Sequence, residues 1–122
     1  MALSVSTQVS PIATRLIVQT TASNVADNAV AGVAATTLYM VDIDNQGGDT
    51  AYLKLYNTAN AVVGTTVPDM VFMMPAGTRR TMALPEGLLF STAISMACVT
   101  TGGTAGAVSP AGPVVVRMLA SV

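Results

Sequence analysis

Between residues 52 and 101, apolar and polar side chains alternate about every second position, in short runs that Gly and Pro interrupt. This period is typical of β-strands, because successive side chains of a strand point to opposite faces of its sheet. In AYLKLYN (51–57), the pattern predicts a buried face of Ala51, Leu53 and Leu55 and a wetter face of Tyr52, Lys54 and Tyr56. The chain is therefore predicted to be built from short strands.

The same alternation predicts strands at 15–20, 37–44, 70–74, 78–84, 88–90, 94–100 and 114–120. In the second of these, Tyr39, Val41 and Ile43 are predicted to share one face. The turn sequence NQGGD (45–49) predicts a hairpin between this strand and 51–57, because its glycines can take positive φ.

Turn-forming and small residues along the chain predict three further elements. We expect 78–84 to pair back onto 70–74, and Pro85-Glu86-Gly87 to form a turn. The Ala-rich residues 26–35 admit either a short helix, capped by Ser23 or Asn24 and ended by Gly32, or a loop of small residues.

About seven or eight short strands with regular turn signals predict an all-β fold, an antiparallel β-sandwich over residues 15–122. The spacing leaves open whether the strand order is jelly-roll or immunoglobulin-like. Residues 1–14, in which Pro11 prevents a continuous helix, are predicted to be an extended N-terminal arm. The length of 122 residues suits one domain.

The charge content points to assembly. Charged residues make up 9 % of the chain and hydrophobic residues 52 %, whereas a typical soluble domain is about 25 % charged. No run of about 18 uninterrupted apolar residues is present, so a membrane partner is not expected. The five basic residues are scattered and the net charge is −1, which disfavours nucleic-acid binding. Copies of the chain or other proteins are therefore expected to cover its surface.

The residue types that usually carry catalysis are scarce. The chain has no His, which excludes a Ser-His-Asp triad and His metal sites, and its single Cys, Cys98, is predicted to be an apolar core residue. Asp42, Asp44 and Asp49 surround the NQGGD turn, but Leu53 stands where a calcium loop needs Glu, so a solvated turn is preferred. The chain is predicted not to be an enzyme and to need no cofactor or metal.

Two groups of residues are candidates for contacts with other subunits. The methionines near residue 73 fit either core filling or a contact surface. Arg79 and Arg80 point to opposite faces of a strand, and they fit a solvated edge or a salt bridge to a neighbour. The predicted subunit or capsid interface is Leu3, Val5, Val9, Ile12, Met73, Met74, Arg79 and Arg80.

The runs AYLKLYN (51–57), VGTTVPDMVF (63–72), PAGT (75–78) and LPEGLLFSTAISMACVTTGGTAG (84–106), with the closing apolar strand, resemble small virion structural proteins of tailed bacteriophages, including cyanophages. The resemblance is to the capsid decoration or cement type, and it covers roughly residues 38–119. It implies a β-sandwich that forms trimers or other oligomers on a capsid, often with an extended terminal arm that reaches a neighbour, and it brings no catalytic residues.

The expected function is therefore a structural protein of the virion. It would be made in the host cytoplasm, would bind the major capsid protein on the head surface, and would associate with itself, as a trimer on the resemblance. The alternative is a tail, neck or fibre component that binds a host glycan, for which Tyr52 and Tyr56 are the candidate aromatic residues.

Overall fold

The computed structural model describes residues 13–29 and 33–122 of the chain, and these residues form an all-β fold without a helix. The strands are β1 (Arg15–Gln19), β2 (Asp27–Asn28), β3 (Thr36–Asn45), β4 (Ala51–Tyr56), β5 (Met70–Met74), β6 (Arg79–Phe90), β7 (Ser95–Val99) and β8 (Val114–Ser121). Where a helix or loop was expected, residues 27–28 form β2, and residues 30–32 lie outside the described part. So does nearly all of the predicted arm, since residues 1–12 are not described.

The strands form two antiparallel sheets of four, in the orders β1-β8-β3-β6 and β2-β7-β4-β5. The pairs β1·β8, β2·β7, β3·β6 and β4·β5 place the first half of the chain against the second half, as a long ribbon folded at the β4–β5 connection. Rolling this ribbon also brings β8 beside β3 and β7 beside β4. This order is that of a jelly-roll and not that of an immunoglobulin domain.

The two predicted strand pairings were wrong. β3 and β4 belong to different sheets, so the NQGGD segment crosses between the sheets and does not close a hairpin. Asn45 stabilises this crossover, because its Nδ2 donates to the Asp49 carbonyl at 2.7 Å and its Oδ1 accepts from the Gly47 N–H at 3.1 Å. β5 and β6 are likewise in different sheets: β5 pairs with β4, and β6 pairs with β3.

Residues 85–87 were predicted to form a turn, but they lie in a large β-bulge inside β6. Leu38 pairs with Leu88 and Met40 pairs with Ala83, so only Tyr39 opposes residues 84–87. The bulge shifts the alternation of β3, and Leu38 faces the core together with Val41 and Ile43. The prediction that Tyr39 shares their face was therefore wrong, because the register of β3 with both neighbouring strands shifts at that residue.

The core lies between the two sheets and contains the predicted buried residues of β4. Leu53, Leu55 and Ala51 are buried there, and so is Cys98, as predicted. Burial raises the pKa of the Cys98 thiol to about 12, so it remains protonated and apolar near neutral pH.

The other face of β4 was predicted to be at least partly wet. Tyr52 is half-buried there, but the prediction was wrong for the other two residues of this face. Lys54 and Tyr56 are fully buried, and Lys54 lies beneath a loop that follows β7. Lys54 Nζ donates to the carbonyls of Gly103 at 2.6 Å and Gly106 at 3.0 Å, which holds this loop over the sheet. In β7, Ser95 is also buried, and its hydroxyl donates to the carbonyl of Thr58 in the β4–β5 connection. Connections therefore cover the centre of the second sheet, and the first sheet presents the open face.

Candidate functional site

The outer face of the first sheet is an open strand surface among the described residues. The core residues Ile17, Val41 and Met118 point inward, so their neighbours in each strand point outward. The strand register places these neighbours in two rows, Leu16–Leu119–Met40–Ala83 and Val18–Arg117–Asp42–Thr81. We call these eight residues, together with Arg79, the outer face.

The first row and the β1 end of the second row are mostly apolar. Leu16 is 66 % exposed and Val18 is 48 % exposed, although both belong to a regular strand. Exposed apolar residues that lie together on one strand face form an apolar surface patch, a feature that is typical of interaction sites. Polar side chains lie beside them, in the second row.

Asp42 forms the polar centre of the outer face. Its Oδ1 accepts from Arg79 Nε at 3.2 Å and from the Thr81 hydroxyl at 2.9 Å, and its Oδ2 accepts from Arg79 Nη2 at 2.8 Å. Arg117 Nη1 lies 3.7 Å from Oδ2. The hydrogen bonds from Arg79 keep the pKa of the Asp42 carboxyl below its usual 3.8, against the opposing effect of burial. The carboxylate is therefore ionised and held in one position.

A shallow cavity of about 250 Å³ lies over this centre. Its lining includes Leu16, Met40 and Leu119 on the apolar side and Asp42, Arg79 and Arg117 on the polar side. Small-molecule sites are usually larger, about 300–1,000 Å³, and are more enclosed. This cavity is therefore smaller and shallower than a typical small-molecule site.

The predicted interface residues are distributed over the molecule. Arg79 lies on the outer face, but its salt bridge is to Asp42 of the same chain. Arg80 and Met73 are exposed, whereas Met74 is buried in the core, so its side chain is not a surface contact. The predicted contacts in the arm, Leu3, Val5, Val9 and Ile12, lie outside the described residues.

The carboxylates near the NQGGD segment are not gathered into a metal site. Asp42 is bound by Arg79, and Asp44 Oδ2 accepts from Gln46 Nε2 at 3.0 Å. Within residues 13–29 and 33–122, no three acidic or Cys side chains come together as metal ligands would.

Sequence reasoning missed the apolar members of the outer face. Leu16, Met40 and Leu119 come from three strands that are distant in sequence, and they become neighbours only through the strand order. A signal was present in β1, where RLIV places apolar residues on both faces. A strand that is apolar on both faces is expected to expose apolar residues when only one of its faces packs against the core.

Replacing Asp42 with Asn is expected to destabilise the chain by about 1 kcal/mol at neutral pH, because the Arg79 side chain is 57 % exposed and solvent screens the pair. The lowered pKa of Asp42 means that its contribution is present above pH 3.8 and is lost as the pH falls through the folded-state pKa. Urea unfolding across this range should show a smaller acid loss in the variant. Asp49→Asn, at an exposed carboxylate, is the control, and equal acid profiles for the two variants would contradict the role of Asp42.

Within the described part of the chain, no helix has the length and apolar character needed to cross a membrane. The chain matches no protein-family model. No curated protein matches it at a significant level.

Proposed function

We propose that this chain is a structural protein of a phage virion, a capsid decoration or cement protein that binds the head surface through the outer face of the first sheet. The observation that carries the proposal is the open outer face, in a sandwich whose second sheet is covered at its centre. Exposed apolar residues beside a polar cluster are typical of a protein-binding surface. The capsid shell, built from the major capsid protein, is the partner.

The proposed binding mechanism includes no catalytic step. Leu16, Val18 and Leu119 would bury apolar area against the shell, and a capsid side chain would enter the cavity beside Asp42 and Arg117. A protein that binds only the assembled shell stabilises it by mass action, because dissociation of the shell must also release the bound protein. This would tie neighbouring capsid subunits together.

Three further observations support this proposal. A charge content of 9 % fits a chain whose surface is covered in an assembly. Jelly-roll sandwiches occur in viral capsid and lectin domains, which is an analogy at the level of fold. The resemblance to virion proteins of tailed phages points to the same class. On this proposal the chain is made in the host cytoplasm, resides on the virion, and also associates with itself.

The alternative is a tail, neck or fibre component that binds a host glycan, and neither of its two candidate aromatic residues is fully exposed. Tyr56 is fully buried. Tyr52 is partly buried, and Gly102 packs so closely on its ring that an added Cβ would lie 2.9 Å from two ring carbons. Glycan sites usually present an open aromatic face with polar groups around it. Head binding is therefore the function that we favour.

Leu16→Glu is expected to weaken binding to empty, expanded heads of the phage that encodes the chain by about tenfold or more. Burial of a leucine contributes about 1.5–3 kcal/mol, and 1.4 kcal/mol corresponds to tenfold in affinity. Val108→Glu is the matched control, since Leu16 and Val108 are both 66 % exposed and Val108 lies in the loop over the second sheet. Co-sedimentation with the heads measures both affinities.

Equal binding by the two variants would show that the outer face is not the contact. Failure of the unmodified chain to bind heads, with binding to host cells instead, would favour the glycan-binding alternative.

A further inference from the structure

The four strands at the ends of the two sheets differ in how they are protected from pairing with another chain. β6 carries Arg79 and Arg80 together with Pro85 and the bulge at residues 84–87. β2 is only two residues long, and β1 begins with Arg15. Charges, proline, bulges and short length all discourage the addition of a strand to an edge. β5, with the sequence MVFMM, has none of these features.

On one side, β5 pairs with β4 of its own sheet along its full length. All five of its residues pair with β4, and the Met74 carbonyl accepts from Asn45 Nδ2 at 3.1 Å. Among the described residues, no strand pairs with its other side. Val71 is 40 % exposed and Met73 is 54 % exposed, whereas Phe72 and Met74 pack against the core. The strand therefore presents a backbone edge with two apolar side chains on one face.

The free edge of β5 can pair with the same edge of a second copy of the chain. If two copies of β5 pair antiparallel about a two-fold axis at Phe72, Met70 lies opposite Met74 and Val71 lies opposite Met73 of the other copy. This register pairs all five residues, and the two exposed side chains meet on the same face of the sheet. No charge is present on either strand, so no electrostatic repulsion opposes the contact.

We propose that β5 pairs with β5 of a second copy in this register, so that the second sheets of two copies join into one eight-stranded sheet. The contact between two five-residue edges is small, in the class below about 1,200 Å² that is typical of weak or transient association. We therefore expect a dissociation constant in the micromolar range. A two-fold pairing gives a dimer, one of the oligomers that the resemblance allows besides a trimer. The pairing does not rest on head binding, because the outer face belongs to the other sheet.

Two double variants test the register directly. Val71→Lys with Met73→Lys places Lys opposite Lys across the two-fold axis, and Val71→Lys with Met73→Glu places Lys opposite Glu. Both variants make the same edge polar and both carry Lys at position 71, so they differ only in the charge at position 73, and urea unfolding of each checks that both fold. Like charges directly opposite each other in a sheet are unfavourable, and opposite charges are favourable.

Light scattering from low micromolar to near-millimolar concentration measures the association. The unmodified chain should approach twice the single-chain mass, the Lys/Lys variant should stay at the single-chain mass, and the Lys/Glu variant should dimerise again. A single-chain mass for the unmodified chain throughout, a mass of three chains, or equal behaviour of the two variants would overturn the pairing. Head co-sedimentation of the Lys/Lys variant is a separate readout, so failure of the dimer and failure of head binding are distinguished.

Discussion

Lys54→Ala is expected to lower the free energy of unfolding by about 3 kcal/mol, one of the two largest effects that we predict for a single substitution. The Lys54 side chain is fully buried, and truncating a long buried side chain to alanine costs about 2–5 kcal/mol through lost packing. The carbonyls of Gly103 and Gly106 would also lose the charged donor, and a hydrogen bond to a charged group contributes about 1.5–3 kcal/mol. Urea unfolding measures the change.

Lys54→Met separates the two contributions, because methionine keeps most of the apolar stem but cannot donate to the carbonyls. We expect it to lose about half as much stability as the alanine variant, and hydrogen exchange should be faster in the loop around Gly103 and Gly106. Arg80→Ala, at an exposed basic residue, is the control and should be nearly neutral. An alanine variant as stable as the unmodified chain would show that Lys54 does not hold the loop.

Burial also lowers the pKa of Lys54 from its ordinary value of 10.5. The folded chain therefore binds this proton less tightly than the unfolded chain does. Stability is expected to rise as the pH increases through the folded-state pKa towards 10.5, and the Met variant should lack this rise. The comparison is best made below pH 9, because burial raises the pKa of Cys98 from 9.0 and that of Tyr56 from 10.0, and ionisation of these groups in the unfolded chain lowers stability above those values.

Gly87→Ala is expected to destabilise the fold by about 3 kcal/mol. Gly87 has a φ of 79°, a left-handed conformation that costs an L-residue about 1–2 kcal/mol. A Cβ at this position would also overlap the Thr37 side chain and lie 3.0 Å from Tyr39 Cε1. Relief of such a clash inside a packed structure costs about 1–3 kcal/mol more.

Gly77→Ala is the matched control, because Gly77 has a φ of 66° and a Cβ there would meet nothing within 4 Å. It carries the conformational cost alone, so we expect about 1 kcal/mol. Thermal or urea unfolding of the two variants measures the difference, which isolates the contact with Thr37 and Tyr39. Equal losses would show that β3 and the bulge are not packed as closely as described.

The position of most strands could be predicted from the sequence. Alternation is a local property, and it indicated strands at most of the places where they occur, as well as the buried face that contains Leu53 and Leu55. It also placed Cys98 correctly in the core. These predictions succeeded because the alternation of faces is a local property of a regular strand, and it fails only where a bulge interrupts the strand, as at Tyr39.

The pairing of the strands could not be predicted in the same way. The Gly-rich segment at 45–49 suits a hairpin and a crossover equally well, and the crossover is determined by contacts with distant backbone. At Gly47 an added Cβ would lie 2.9 Å from Gly112 Cα, a residue near the other end of the chain. Lys54 was assigned to a wet face because the loop that buries it follows about fifty residues later in the sequence.

The candidate site likewise combines properties that the sequence predicted with properties that only the tertiary structure determined. The sequence alone determined an all-β sandwich, a surface poor in charge and a chain without histidine chemistry, because composition and alternation are carried by each segment by itself. Only the tertiary structure decided which face stays open, which edge is unprotected, and that Leu16, Met40 and Leu119 meet beside Asp42. The reason is physical: exposure of a strand depends on what packs against it, and here the covering segments and pairing partners come from distant parts of the chain.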